Sequence, residues 1–416
     1  MRRFALLLCI LGAAFAAACL AYLLQPAPLS VNPPPPPAPP APLSASPPPP
    51  PPAQPKVSTA PWHTYHGDAA LRGQGEALEA ASLTVAWRFL AGAPVEHTPV
   101  SDGTRVFVVN RRGEIFAVDA QGQRVWSKQL LEEGQKRPDG SPREEVIDAP
   151  LACFKGMLLA GAASGTLYAL DTATGNERWR ARIDGSFLGS PNLLAGTPGA
   201  VLAIDQGEAI LHAFHPETGA LLWKTESIDR CDGSPSAGSD FSAYGSCAAA
   251  LHVVDTTAGK LVRSIEIEGD SQVAGGVAID GDLLVSGCRS GKVLQVNARS
   301  GQVLWTTTLG DAEIFATPAI NAQWVVAAME DGTVSGLERA TGAVKWTMKS
   351  KPQPASPILA GERVLLSARG TLYLLNLADG AVLWSSEIAD EISSPAMAMG
   401  LVLIGGKDGA LTALRP

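Results

Sequence analysis

Short apolar runs alternate with glycine-rich turns over most of this chain. VFVV from Val106, MLLAGAA from Met157 and RVLLSA from Arg363 each have the length of a single strand and are bounded by turn residues. Such segments, spaced by frequent turns, are typical of antiparallel β-sheet. From residue 62 onward the chain is therefore predicted to be all-β.

One stretch, GTLYALDTATGNERW from Gly165 to Trp179, recurs along the sequence. Its side chains alternate between two faces of a strand, Asp171 can accept backbone N–H groups in a turn, and Gly175 supplies a positive φ. The closing indole is large enough to cover a neighbouring repeat. Equivalent positions, 38 to 53 residues apart, hold Trp87, Trp126, Trp179, Trp223, Trp305, Trp346 and Trp384, with Arg263 in one degenerate copy. We predict that these tryptophans dock consecutive repeats against each other.

A second marker, usually Ser or Thr followed by Pro, precedes the strands of each repeat. It is found at Thr98-Pro99, Ala149-Pro150, Ser190-Pro191, Ser234-Pro235, Thr317-Pro318, Ser356-Pro357 and Ser394-Pro395, and Gly275-Gly276 is expected to fill the slot in the repeat without proline. Eight slots predict eight repeats. Units of about 40 residues with four strands each predict an eight-bladed β-propeller of four-stranded antiparallel blades.

The last repeat supplies only three strands after Ser394-Pro395. The segment from Leu83 to Leu90, with Trp87 in the tryptophan position, has the character of the missing fourth strand. Pairing it with the last repeat would remove two exposed sheet edges. An N-terminal strand is therefore predicted to close the ring.

The N-terminal 61 residues are expected to lie outside the propeller, which is assigned to residues 62–416. Residues 1–24 contain two arginines and then 21 uncharged, mostly apolar residues, enough to cross a bilayer. They are read as an uncleaved signal anchor, a lipoprotein signal with Cys19 as the acylated residue, or a cleaved signal peptide. Residues 25–61 contain 18 prolines, which predicts a stiff polyproline II linker. All three readings place the propeller outside the cytoplasm, on the inner membrane if anchored or on the outer membrane if a lipoprotein.

The net charge bears on the class of partner, and the positions of the cysteines bear on disulfide formation. The net charge of −8 argues against nucleic acid. Cys231 and Cys247 flank an expected hairpin turn at residues 238–240, which predicts a disulfide between them in an oxidising compartment; two free thiols are the alternative. Cys153 and Cys288 are expected to be buried.

No catalytic or metal-binding pattern is apparent in the sequence. The six histidines are scattered among repeats, and no phosphate-binding loop or nucleophile spacing stands out, so neither a metal nor a cofactor is predicted. The polar insertion of residues 131–146 between the first two repeats is predicted to be a solvated loop or a contact surface for a partner.

The pattern A-x-D-x-x-T-G-x-x-x-W, seen from Ala169 to Trp179, resembles the pyrroloquinoline-quinone-like propeller repeat. The stretch WHTYHGD from Trp62 resembles an entry motif that precedes many such propellers. One branch of that superfamily contains quinoprotein dehydrogenases. Enzymes of that branch typically have a pair of adjacent cysteines and long inserted loops, and this sequence lacks both. The other branch, typified by the outer-membrane assembly factor BamB, is non-enzymatic.

The resemblance implies a monomeric, non-catalytic scaffold that binds protein partners in the cell envelope. A sensor that binds a small ligand or a glycan is the alternative, and a quinoprotein dehydrogenase is the least favoured. Fold alone does not separate these functions.

Overall fold

The computed structural model describes residues 60–196, 199–269 and 271–416. These residues form strands, turns and loops, without a helix among them. Two strands precede the first repeat, β1 (Gln74–Gly75) and β2 (Thr84–Leu90). The membrane segment, Cys19 and nearly all of the proline-rich linker lie outside the described residues.

Blades 1 to 4 follow each other along the chain. Blade 1 contains β3 (Val100–Ser101), β4 (Val106–Val109), β5 (Glu114–Val118) and β6 (Arg124–Gln129), and a hairpin of β7 (Leu131–Lys136) and β8 (Pro142–Glu144) follows it. Blade 2 contains β9 (Ala152–Phe154), β10 (Met157–Gly161), β11 (Thr166–Asp171) and β12 (Glu177–Arg182). Blade 3 contains β13 (Asn192–Leu194), β14 (Ala200–Ile204), β15 (Leu211–Phe214) and β16 (Leu221–Lys224). Blade 4 contains β17 (Ser236–Ala237), β18 (Phe241–Ser246), β19 (Ala250–Asp255) and β20 (Lys260–Glu266).

Blades 5 to 8 repeat the arrangement. Blade 5 contains β21 (Ala278–Asp280), β22 (Leu283–Gly287), β23 (Lys292–Asn297) and β24 (Val303–Thr308), and blade 6 contains β25 (Ala319–Ile320), β26 (Trp324–Ala328), β27 (Thr333–Glu338) and β28 (Val344–Lys349). Blade 7 contains β29 (Ile358–Ala360), β30 (Arg363–Ala368), β31 (Thr371–Asn376) and β32 (Val382–Glu387). Blade 8 contains β33 (Ala396–Ala398), β34 (Leu401–Gly405) and β35 (Ala410–Arg415).

The closing strand of blade 8 comes from the other end of the domain. β2 pairs antiparallel with β35, from Thr84 opposite Arg415 to Leu90 opposite Ala410. Within the described ranges this makes eight four-stranded blades, one of which also carries β1 as a fifth strand. The predicted eight-bladed propeller and its closure by an N-terminal strand are confirmed.

The antiparallel order gives the propeller two distinct ends. Because strand direction alternates, the loops joining first to second and third to fourth strands lie at one end, which we call the turn face. The loops joining second to third strands, and those joining one blade to the next, lie at the other end, the loop face. Apolar side chains between neighbouring blades form the core in seven buried clusters.

Candidate functional site at the propeller channel

The innermost strands surround a channel whose loop-face end is ringed by the Ser/Thr-Pro slots. The Ser190 N–H donates to Ser234 Oγ at 2.8 Å, and the Thr317 N–H donates to Ser356 Oγ at 3.0 Å. Each hydroxyl thus accepts the N–H of the preceding blade's slot residue, which explains why Ser and Thr recur there. The Gly276 N–H makes the same bond to Thr317 Oγ1. The slot in blade 5 is therefore Gly276-Val277, one residue later than the sequence prediction of Gly275-Gly276.

The channel itself is filled by the chain's own residues Trp62–Gly75, which we call the strap. The strap enters at the turn face, where Trp62 and Ser101 of blade 1 exchange backbone hydrogen bonds of 2.9 and 2.8 Å. The Cys153 N–H of blade 2 then donates to the His63 carbonyl at 2.8 Å. The segment that resembled an entry motif thus joins blades 1 and 2 through backbone hydrogen bonds.

The strap continues around the inner strands of the remaining blades. Its carbonyls accept hydrogen bonds from backbone N–H groups of blades 4, 5, 6 and 7, which are Ala237 to Ala69, Ile279 to Ala70, Ile320 to Arg72 and Leu359 to Gly73, at 2.7 to 2.9 Å. Asn192 Nδ2 of blade 3 also donates to the Ala69 carbonyl. β1 then pairs in parallel with β29 of blade 7, and Gly75 lies against Met397 of blade 8. The strap therefore ties together all eight inner strands.

Two aromatic side chains fix the strap at the centre of the channel. His66 is fully buried, with Nδ1 2.8 Å from the Leu71 carbonyl oxygen and Nε2 2.9 Å from that of Pro357. Tyr65 Oη lies 2.7 Å from Thr317 Oγ1, and burial raises the pKa of this phenol to about 12. Tyr65 contacts a slot hydroxyl of the ring. His66 lies between a strap carbonyl and a ring carbonyl, and a neutral imidazole donates to one of them, so both side chains have a structural role.

What remains of the channel is a shallow cavity of about 160 Å³ at the loop face. Its lining includes Tyr65, Asp232 and Phe315 together with loop glycines and slot residues. The cavity is smaller than the clefts of about 300–1,000 Å³ that usually hold small ligands. The polar groups of the inner strands that could bind a ligand are instead hydrogen-bonded to the strap.

The tryptophans of the repeat join each blade to the next. The indole N–H groups of Trp87, Trp126, Trp179, Trp223, Trp305 and Trp346 donate to the carbonyls of Ala120, Thr172, Pro216, Thr256, Arg339 and Leu377, at 2.7 to 3.2 Å. Each ring also covers the glycine of the next turn, and a Cβ added at Gly175 would lie 2.7 Å from Trp126. The repeat residues thus build interfaces between blades.

Two positions in this series differ. Arg263 replaces tryptophan in blade 4, and its guanidinium donates to the Arg299 carbonyl at 3.0 Å while its stem covers Gly301. Trp384 packs on the core of blade 8, where the outer strands β35 and β2 are not joined by a turn. Its indole N–H has no acceptor among the described residues.

Aspartates hold the turns beneath the tryptophans. Asp171 Oδ1 accepts the N–H groups of Ala173 and Thr174, each at 3.0 Å. The Arg178 guanidinium, at 2.6 Å from Oδ2, lowers the pKa of Asp171 to about 2 together with the turn donors. The carboxylate of the repeat motif is therefore engaged in turn formation and is not available as a catalytic base.

The disulfide between Cys231 and Cys247 stays a prediction from the sequence. Both cysteines are free thiols in the structure, although the Cys247 N–H donates to the Arg230 carbonyl and brings the two segments together. Cys231 Sγ instead lies 3.6 Å from the Gly233 carbonyl oxygen. Burial raises the pKa of Cys231 to about 12 and also raises that of Cys247, so both are protonated at neutral pH. Peptide mapping under non-reducing conditions measures the pairing directly.

A buried serine–histidine contact lies in blade 4. Ser246 Oγ is 2.8 Å from His252 Nε2, and Ser264 Oγ is 2.9 Å from Nδ1. The spacing is that of a nucleophile and its base. However, Ser246 and His252 are 0% and 1% exposed, so no substrate reaches them. This network satisfies polar groups in the core.

Acidification is expected to destabilise the propeller. Burial lowers the pKa of His252 to about 4 and also lowers that of His66, His97 and His212. The unfolded chain, with histidine pKa values near 6.5, therefore binds more protons than the folded one below that pH. This contribution to stability is fully present well above pH 6.5 and is lost as pH falls through that value. For His252 the loss continues towards pH 4, by up to about 1.4 kcal/mol per pH unit. Urea unfolding at pH 7.5 and 5.0 measures this; equal free energies of unfolding would contradict it.

The charged insertion forms the β7–β8 hairpin on the loop face. Its base is fixed by the buried Glu145, whose Oε1 accepts the hydroxyls of Tyr168 at 2.7 Å and Ser164 at 3.0 Å. Burial and this carboxylate raise the pKa of the Tyr168 hydroxyl. Residues 132–144 are mostly solvent-exposed. The insertion is thus a hairpin with a rigid base and an accessible tip.

The residues that the structure describes contain neither a cluster of metal ligands nor a membrane-spanning helix. No group of three or more His, Cys, Asp or Glu residues there could hold a metal ion. The same residues contain no helix of sufficient length and apolarity to cross a membrane.

A family model described as "Outer membrane protein assembly factor BamB" matches residues 69–142, 111–231 and 207–416. The chain belongs to this family. It is 27% identical over 259 residues to BamB of Xanthomonas campestris pv. campestris, and the match covers 60% of this chain and 62% of the relative. Identity to BamB of Burkholderia pseudomallei is 23% over 330 residues, 73% of this chain and 80% of the relative.

The match to some relatives is partial. BamB of Yersinia pestis is 25% identical over 240 residues, 53% of this chain and 58% of the relative. The chain thus spans about three fifths of the length of the Xanthomonas and Yersinia proteins.

Solved structures share the fold across different activities. BamB from Moraxella catarrhalis superposes with a TM-score of 0.66 at 17% identity, covering 80% of this chain and 98% of that one. Quinohemoprotein alcohol dehydrogenase from Comamonas testosteroni gives 0.69 at 14% identity, covering 86% and 81%. An enzyme and an assembly factor superpose on this chain about equally well, so the fold alone does not distinguish their functions.

Sequence reasoning did not anticipate the strap. The WHTYHGD motif marked the start of the domain, but nothing in its residues indicates that it lies inside the ring. The available signal was its composition, since two histidines, a tyrosine and a tryptophan within five residues are unusual for the end of a linker.

Proposed function

We propose that this protein is a non-catalytic scaffold that takes part in outer-membrane protein assembly outside the cytoplasm. The observation that supports this most directly is the strap, since Trp62–Gly75 occupies the channel in which a propeller enzyme would bind its cofactor. The family match points the same way, because the relatives are named outer membrane protein assembly factors. The partner is then a protein of that assembly process.

The loop face is the surface we assign to this partner. The strap meets blade 1 at the turn face, the end opposite the loop face. The loop face carries the β7–β8 hairpin, with Leu131 and Val146 each 42% exposed at its base. Loops that project from a rigid scaffold are the usual location of binding residues.

Site-specific photo-crosslinking in cells tests this assignment. A photoreactive residue at Asp139 on the hairpin tip should crosslink to a component of the outer-membrane assembly machinery. The same residue at Gly281 on the turn face is the control and should not. Deleting residues 132–144 should lower the amounts of assembled outer-membrane proteins while leaving the melting temperature within about 2 °C, since these residues contribute little to the core.

Two results would contradict the proposal. Normal outer-membrane protein levels in cells that lack the whole protein would exclude the assembly role. Dehydrogenase activity on addition of pyrroloquinoline quinone would show that the channel accepts a cofactor in spite of the strap.

A further inference from the structure

One tryptophan lies neither in a docking position nor in the strap. Seven of the nine occupy the docking position and Trp62 begins the strap, which leaves Trp324. It is the first residue of β26, and the same position in the other blades holds Val106, Met157, Ala200, Phe241, Leu283, Arg363 and Leu401. Residues as different as Ala200, Phe241 and Arg363 occupy this position, so the fold does not require an indole.

Trp324 lies in a groove on the turn face of blade 6. The groove has a volume of about 350 Å³ and is lined by Ala322, Gln323, Trp324, Glu338, Ala340 and Lys345. Trp324 is directly opposite Glu338 in the sheet, and one side of its ring packs on the core between blades 6 and 7. The ring is therefore held rigidly and is only half-buried. Its indole N–H has no acceptor in the part of the chain that the structure describes.

Polar groups of both signs surround the ring. Lys345 Nζ lies 3.3 Å from Glu338 Oε1, with side chains 44% and 41% exposed. Glu338 also accepts the Thr341 hydroxyl at 2.6 Å. The carboxylate offers further lone pairs, and the ammonium, the Gln323 amide and the indole N–H offer donors. The pair is neutral overall, which favours an uncharged ligand.

We propose that this groove binds a neutral pyranose unit of a glycan. An apolar sugar face stacks on an aromatic plane, while its hydroxyls both donate and accept hydrogen bonds. A polyproline peptide is a poorer fit, because its backbone offers acceptors alone and would leave the further lone pairs of Glu338 without a donor. The groove and the loop face lie at opposite ends of the propeller, so glycan binding is independent of the proposed assembly role.

Titration with chitotriose, a trimer of N-acetylglucosamine, tests the site, with maltotriose as a second neutral glycan. In ¹H–¹⁵N spectra of the full chain, the Trp324 indole signal should shift on addition of sugar and the docking indoles should not. Trp324→Leu should weaken binding at least tenfold, Trp324→Phe should retain part of it, and Glu338→Gln should weaken it several-fold.

Leu283→Ala, at the same position of blade 5, is the matched control and should bind as the unmodified protein does. Thermal unfolding of each variant separates loss of the site from loss of the fold. Absence of binding to both sugars, or affinity unchanged in Trp324→Leu, would overturn the proposal. Neither result would bear on the assembly role, which is measured by crosslinking at the loop face.

Discussion

Replacing Gly73 with alanine should lower the free energy of unfolding by about 3 kcal/mol. Gly73 has a φ of +64°, and an added Cβ would lie 2.5 Å from Nε2 and Cε1 of the buried His66 ring. Backbone strain and overpacking each cost about 1–3 kcal/mol. His66 cannot move aside without losing its contacts to Leu71 and Pro357, so the strap itself would be displaced. Urea-induced unfolding measures the loss.

Gly281→Ala is the matched control for this substitution. Gly281 has a similar φ of +59°, but nothing lies within 4 Å of the position of its Cβ. It therefore reports the cost of backbone conformation alone, about 1 kcal/mol. Equal losses in the two variants would show that the strap is not tightly held in the channel.

Trp179→Ala should cost about 4 kcal/mol, the range for truncating a large buried aromatic side chain. Trp179 is 7% exposed, donates to the Pro216 carbonyl at 2.8 Å and covers Gly219 of the next blade. Its loss leaves a cavity between blades 2 and 3 and an unpaired carbonyl. Thermal and chemical unfolding should both show the effect.

Trp384→Ala provides the comparison within the same series. Trp384 is half-buried and lies at the blade junction without a connecting turn, so the same truncation should cost clearly less. A loss as large as that of Trp179→Ala would mean that the tryptophans act mainly by burying area, and that docking on the glycine turn contributes little.

The strap changes how family membership bears on function. The superfamily is named after a quinone, but the residues of its repeat form turns and contacts between blades, as Asp171 and Trp179 show. The strap occupies the channel that could hold a cofactor, and hydrogen bonds join it to blades 1 to 7. The two functions that we propose lie on opposite surfaces, partner binding on the loop face with its hairpin and glycan binding in the Trp324 groove of the turn face.

The sequence by itself determined the repeat and therefore the ring. Asp171, Gly175 and their equivalents act within a few residues of themselves, so their turns can be read locally, and eight copies with a displaced strand at Trp87 imply eight blades and a closed ring. The membrane segment and the acylation of Cys19 remain predictions from the sequence. The surroundings of Trp62–Gly75, Trp324 and the pair Cys231 and Cys247 are visible in the tertiary structure alone. Each depends on which distant blade supplies its neighbours, and local pattern carries no information about contacts separated by hundreds of residues.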